Sequence, residues 1–336
     1  MKNGRTIITF SFIAIIVISA IILKKSLTRG QTNNKWTIGI LQTASHPALD
    51  AARDGFMKTL QQKLGDDIGF VVSNGQGSIS TIHTIAQQFH ARDDIQAIYA
   101  IATPAAQAMA SVEKEKPIII AAVTVAPEPS LRQGFGGQVG ISFAEPNICG
   151  VSDMINVRAE VEAMHALLPN LKTVGIVFST AEVNSVAVSK IMVTELERAG
   201  INPLVVGIAS ESDIEPAVMS ALRKIDALIA PTDNTIANTI ALIADLARKA
   251  EKPLIVSDNM LVKYGPLMAR GVDYYESGTQ AATVALQLLI NHKKPYELPI
   301  LGAESKNVFV NTQTLANLKL VIPDALATDV VMVETA

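Results

Sequence analysis

The stretch KTVGIVFS (172–179) restates WTIGILQT (36–43), and EKPLIVSDN (251–259) restates EKPIIIAAV (115–123), both at an offset of 136 residues. Between them, IDALIAPTDNTIANTI (225–240) answers IQAIYAIATPAAQAMA (95–110) at a slightly shorter offset. A repeat of this length means that the chain builds one topology twice. Its 336 residues exceed what a single hydrophobic core usually serves, and 49% hydrophobic residues supply material for two.

Each half reads as alternating strand and helix. WTIGIL (36–41) is a short buried strand, and HPALDAARDGFMKTLQQKL (46–64) sets Leu49, Ala52, Phe56, Leu60 and Leu64 on one helical face. Strand IGFVVSN, helix SISTIHTIAQQFHAR, strand IQAIYAIA, helix PAAQAMASVEKE and strand PIIIAAVT (117–124) follow. Strands so uniformly apolar are covered on both faces, as in a parallel sheet. The expected fold is α/β with two lobes, each a parallel sheet flanked by helices, and a ligand cleft between them. Crossings are expected at SFAEPNICGVSD (142–153), GVDYYESG (271–278) and around ESKNVFVN (304–311). Lobe one then comprises 36–145 and 276–303, and lobe two 146–275 and 304–336. Helix GTQAATVALQLLINHK returns to lobe one and NTQTLANLKL packs on lobe two, while APEPSLRQGFGGQVG (126–140) reads as a Gly- and Pro-rich loop.

The first 30 residues belong to another physical class. MKNGR is basic, TIITFSFIAIIVISAIIL (6–23) is an unbroken apolar run, and KKSLTRGQTNNK is a polar exit. No A-x-A site follows the run and the only thiol is Cys149, far from it, so an uncleaved anchor is favoured over a cleaved signal or a lipid attachment. Basic residues on both flanks leave the orientation to the nature of the soluble part.

Several function classes lose support. A net charge of −3 with scattered Lys and Arg offers nucleic acid no basic stripe. Cys149 has no CxxC or His-rich neighbourhood, so neither a metal nor a redox pair is expected, and a small buried apolar role is. No G-x-S-x-G, GxxxxGK[ST] or H-E-x-x-H occurs, so no catalytic machinery or cofactor is expected. His46, His83, His90, His165 and His292 are dispersed and read as surface or half-buried positions.

From Trp36 onward the chain resembles the ABC-importer substrate-binding family of the tryptophan- or phenylalanine-binding type, on the type I periplasmic-binding fold. The matching stretches are HPALDAARDGF, TIAQQF, AIATPAAQA, NICGVSDM, AEVNSV, PTDNTIA and GVDYYESG, in order across both lobes. Two departures stand out: Val125 occupies a position where the family usually carries an acid, and the loop that follows, up to Asn147, is longer than usual. The resemblance implies a receptor on the extracytoplasmic face, anchored through residues 6–23, that hands a small ligand to an ABC permease with its ATPase. An anchored sensor or an enzyme using the same cleft, and a sugar or nucleoside receptor, remain as alternatives.

In parallel α/β sheets ligands bind beyond the strand C-termini, where helix N-termini offer free N–H groups. Thr103 is expected to cap a helix, with Pro104 at its first position, leaving the N–H groups of Ala105 and Ala106 to meet a carboxylate. On the other lobe Asp233 and Asn234 stand at the matching turn, where Asp233 would meet an ammonium or cap its helix. Ser179, Glu182 and Asn184 cluster at one strand-to-helix turn, Asp258 with Asn259 ends another strand, and Asp273 with Tyr274 lies at an expected hinge. The family resemblance implies an aromatic amino acid, with Phe178, Tyr264 and Tyr274 as candidate walls.

Overall fold

The computed structural model describes residues 35–125, 145–302 and 306–336. In chain order the elements are β1 (Trp36–Gln42), α1 (Pro47–Leu64), β2 (Ile68–Asn74), α2 (Ile79–His90), β3 (Ala97–Ile101), α3 (Thr103–Val112), β4 (Ile118–Val123) and β5 (Ile148–Ser152). Then come α4 (Val157–Leu167), β6 (Thr173–Ser179), α5 (Val183–Arg198), β7 (Asn202–Ile208), α6 (Ile214–Leu222), β8 (Ala227–Ala230), α7 (Asn234–Asn238), α8 (Ile240–Lys249), β9 (Leu254–Asp258) and β10 (Met268–Val272). The chain closes with α9 (Tyr274–Leu289), β11 (Ile300–Gly302), β12 (Val308–Asn311), α10 (Thr312–Asn317) and β13 (Val330–Val333).

Among the described residues the strands form a six-stranded sheet, ordered β11-β5-β4-β3-β1-β2, and a seven-stranded sheet, ordered β13-β12-β10-β9-β8-β6-β7. From the β2 and β7 edges inward, the five strands of each half take the same order, with the first strand between the second and third. The 136-residue repeat is thus a repeat of topology, β1 with β6 and β4 with β9. One apolar cluster runs through both lobes, from Ile38, Phe56 and Tyr99 to Val174, Met192 and Val310. Separate clusters cover the other face of each sheet, around Leu41, Ile82 and Met109 in one and Val177, Val218 and Ile243 in the other.

Two details differ from the sequence reading. Ile148–Ser152 is buried throughout and pairs with β4, Ile118 opposite Ile148, so it belongs to the first sheet and the crossing begins near Asp153 instead of residue 146. Gly150 makes this possible: at φ +136 its missing Cβ would lie 2.3 Å from the Ile120 carbonyl oxygen. Read as a sequence, that glycine inside a five-residue stretch looks like a loop. The second sheet also contains one antiparallel pair, β10 with β12 (Met268 opposite Val310), because the chain re-enters that lobe from the opposite direction after β11. Cys149 is fully buried in the core, and burial pushes its thiol up to about 12.

No helix among the described residues is long and apolar enough to cross a membrane. The apolar run 6–23 and the loop 126–140 lie outside the described residues.

Candidate functional site

The two sheets point their strand ends at a shared cavity of about 30 Å³. His46 and Leu49 reach it from the start of α1, Ala122 from the end of β4, and Asp153 and Tyr274 from the segments that cross between lobes. The second lobe contributes Asn184, the turn Ala230–Asn234, and Asp258 at the end of β9. A water needs roughly 10–15 Å³ of such space, so the cavity holds about two. Two contacts close the lobes over it: His46 Nε2 lies 3.2 Å from Asn234 Oδ1, and the hydroxyls of Thr124 and Thr232 lie 3.5 Å apart.

The polar lining is anionic. Asp153 accepts from Thr124 Oγ1 at 2.8 Å and from the Tyr274 hydroxyl at 3.2 Å, which ties the two crossing segments together. Asp258 Oδ1 accepts from the Met260 N–H at 2.8 Å, while Oδ2 has no hydrogen-bond partner among the described residues. Burial pushes the Asp153 carboxyl up to about 6 and, aided by the charge of Asp153, that of Asp258 to about 7. Burial and the neighbouring Glu182 also raise Asp233. Among the described residues, no lysine or arginine lines the cavity.

Asp233 does not stand free as a counter-charge. Its Oδ2 accepts from the Ser179 N–H at 2.6 Å and from the Ser185 hydroxyl, and Oδ1 caps α7 through the Ile236 N–H at 2.9 Å. Glu182 completes the same helix start: Oε2 accepts from the Asn234 N–H (3.1 Å) and Nδ2 (2.6 Å), and Oε1 from the Thr235 N–H and hydroxyl (2.9 Å each). A five-residue helix cannot hold itself together, and these two carboxylates satisfy its orphan N–H groups.

The predicted anion site on lobe one is not formed. Helix α3 starts one residue earlier than expected, with Ala102 as N-cap at φ +71, Thr103 at its first position and Pro104 at its second. The Ala105 N–H donates to Thr43 Oγ1 at 3.2 Å and the Ala106 N–H to the Ala102 carbonyl at 3.1 Å. Both N–H groups are therefore spent, both residues are fully buried, and Thr103 to Ala106 lie off the cavity. Val125 packs into the apolar cluster of the first lobe.

Of the other predicted positions, Asn184, Asp233, Asn234, Asp258 and Tyr274 meet at the cavity. Ser179 and Glu182 stand behind it, holding Asp233 and α7. Asp273 is exposed and caps α9 through the Glu276 N–H at 3.0 Å. Phe178 is buried in the main apolar cluster and Tyr264 packs on the far side of lobe two, so neither walls the cavity.

Of the polar residues lining the cavity, the sequence reading missed Asp153 and Thr232 as well as His46. His46 is 7% exposed, its Nδ1 is buried without a partner, and burial lowers its pKa from 6.5. A histidine before a proline at a helix start carries no signature of its own. The repeat does: His46 and Glu182 stand 136 residues apart, each as N-cap of the helix after the first strand of its lobe, and both contact Asn234.

Comparison with known proteins agrees with this architecture. A tyrosine-binding protein of Clostridioides difficile (strain R20291) is 33% identical over 304 residues, 88% of this chain and 84% of that protein. A Streptococcus pneumoniae ABC domain solved in complex with L-Trp superposes with a TM-score of 0.80 at 28% identity, covering 88% of this chain and 99% of that one. A ligand-free, open substrate-binding protein with adhesive properties from Clostridium difficile gives 0.65 at 30% identity, covering 90% and 100%. At nearly equal identity, the higher score with the ligand-bound structure fits the closed lobes seen here. The model of the family described as ABC transporter substrate binding protein matches residues 37–333. Two repeated lobes, a cleft at the strand ends and a match across nearly the whole described chain lead to one conclusion: the chain belongs to the ABC transporter substrate-binding protein family.

Proposed function

We propose that this protein binds an aromatic amino acid between its lobes and delivers it to an ABC permease on the extracytoplasmic face of a membrane, to which residues 6–23 anchor it. The observation that carries the reading is the acidic lining of the cavity: among the described residues Asp153, Asp233 and Asp258 line it and no lysine or arginine does, and Asp258 has the oxygen that no protein donor takes up. A buried carboxylate with an oxygen left over, Asp258, calls for a cation, and an α-ammonium supplies one with three donors. The tyrosine- and tryptophan-binding relatives support the aromatic class. At about 30 Å³ the closed cavity is far below the few hundred Å³ of a typical ligand pocket. An aromatic side chain therefore enters only through an opened cleft, as in hinge-bending receptors.

Calorimetric titration of residues 31–336 with the twenty amino acids is the test. Selective binding of tyrosine, tryptophan or phenylalanine is the expected result. Binding of a sugar or nucleoside in their place, or of none of the amino acids, would overturn the reading.

A further inference from the structure

Among the described residues, every polar side-chain atom that lines the cavity without a hydrogen-bond partner is an acceptor, and the chain itself fixes why. Asn234 Nδ2 lies 2.6 Å from Glu182 Oε2. A carboxylate that also takes two backbone N–H groups can only accept there, so the Asn234 amide is locked with its nitrogen toward Glu182 and Oδ1 toward His46. His46 Nε2 must then carry the proton, and in the neutral ring Nδ1 is left as a bare lone pair. That Nδ1 is buried and unpartnered. Asn184 is locked in the same manner: its Nδ2 donates to the Thr232 carbonyl at 3.1 Å, and its Oδ1 is buried without a partner. Asp258 supplies the third acceptor: its one hydrogen bond among the described residues goes from the Met260 N–H to Oδ1, and none is made to Oδ2. His46 belongs to the first lobe, Asn184 and Asp258 to the second.

We propose that His46 Nδ1, Asn184 Oδ1 and Asp258 Oδ2 form an ammonium subsite shared by the two lobes, in which His46 makes closure depend on the amine of the ligand. The inference rests on the amino-acid reading and deepens it. Each acceptor takes one N–H of a primary ammonium, the charge is matched by Asp258, and the amine itself links the lobes. Glu182 and Asn234 are positioning residues: they set the tautomer of His46 without touching the ligand. Burying unpaired acceptors is costly, so a ligand without the amine is rejected more strongly than one lacking an apolar group.

The test uses whichever of L-tyrosine, L-tryptophan and L-phenylalanine binds best, paired with its deaminated analogue. In the wild type the deaminated analogue should bind at least about 100-fold more weakly. In His46→Ala the amino acid should lose about 10-fold or more, while the affinity for the deaminated analogue stays within about threefold. Equal losses for both ligands would make His46 a structural residue and overturn the proposal. Nitrogen-15 NMR of the ligand-free wild type reads the tautomer without any substitution: Nε2–H is expected, a mixture in Glu182→Gln, and a wild-type Nδ1–H form would overturn the assignment. If none of the three amino acids binds, the amino-acid reading itself fails. If one binds with no preference over its deaminated analogue, that reading stands and the subsite fails.

Discussion

Asp233 and Asp258 look alike in the sequence, each closing a strand of the second lobe, yet their hydrogen bonds separate them. Asp233 is consumed by Ser179, Ser185 and Ile236, whereas Asp258 keeps one oxygen toward the cavity. Asp233→Asn leaves the Ser179 N–H or the Ser185 hydroxyl buried and unpaired, so a loss of roughly 1–3 kcal/mol in stability is expected. Asp258→Asn keeps its bond to Met260 and should do the opposite in the empty protein. The Asp258 carboxyl titrates near 7 when folded, against 3.8 as its ordinary value. From about pH 4 to 7 the folded state holds a proton that the unfolded chain has released, so the stability from this group is lost as pH rises through 7. His46 has the reverse sign: its folded pKa is lowered, and its contribution is lost as pH falls below 6.5 toward the buried value. The difference between wild type and Asp258→Asn isolates the carboxylate. Denaturation across this range should show the variant's advantage over the wild type growing with pH, to roughly 2–4 kcal/mol at about pH 8, while its amino-acid affinity falls. A difference that does not change with pH would refute the assignment.

At the scale of elements, α1 and α9 set the position of the first-lobe side of the site, and two glycines let them touch. A Cβ on Gly278 would lie 2.1 Å from the Ala52 carbonyl oxygen, and one on Gly55 2.3 Å from that of Tyr275. Both obstacles are backbone, so neither can swing aside. Gly278→Ala should therefore force the helices apart, cost roughly 1–3 kcal/mol by overpacking, and weaken ligand binding through Tyr274 at the head of α9. Thermal denaturation with calorimetry checks both effects, and unchanged values for both would contradict the close approach. These elements also show what the sequence could and could not disclose. The largely apolar runs of β1, β3 and β4 and their restatement in the second half announce two parallel sheets, because strands covered on both faces show little polar alternation. The strand β5 escaped because Gly150 mimics a turn. The α3 site failed at a finer level: Ala102 itself adopts φ +71 and caps the helix, which shifts Thr103 inward and turns the next two N–H groups into internal bonds. Such local backbone choices depend on neighbours that the sequence does not order in space. His46 was hidden for a related reason, since its role exists only when the second lobe brings Asn234 against it.

The molecule as a whole must open, because a cavity of about 30 Å³ between closed lobes admits no amino acid. Asp153 and Tyr274, on two of the crossing segments, share a hydrogen bond that can persist through a hinge motion, whereas the contacts of His46 with Asn234 and Thr124 with Thr232 cannot. The latter pair offers a direct control on the motion. Their hydroxyls are 3.5 Å apart across the cleft, which makes this the pair to replace with cysteines. Native Cys149 is fully buried, with its thiol held protonated, and does not compete for oxidation. In the variant carrying Thr124→Cys and Thr232→Cys, oxidation of the empty protein should abolish amino-acid binding and reduction should restore it. Oxidation after loading should trap the ligand through extended dialysis. Solution scattering gives the same motion without a cross-link: the reduced, empty protein should have a larger radius of gyration than the loaded one. Ligand exchange at an undiminished rate in a fully oxidised sample would show that closure does not gate the site, and would remove the reason for placing acceptors on both lobes.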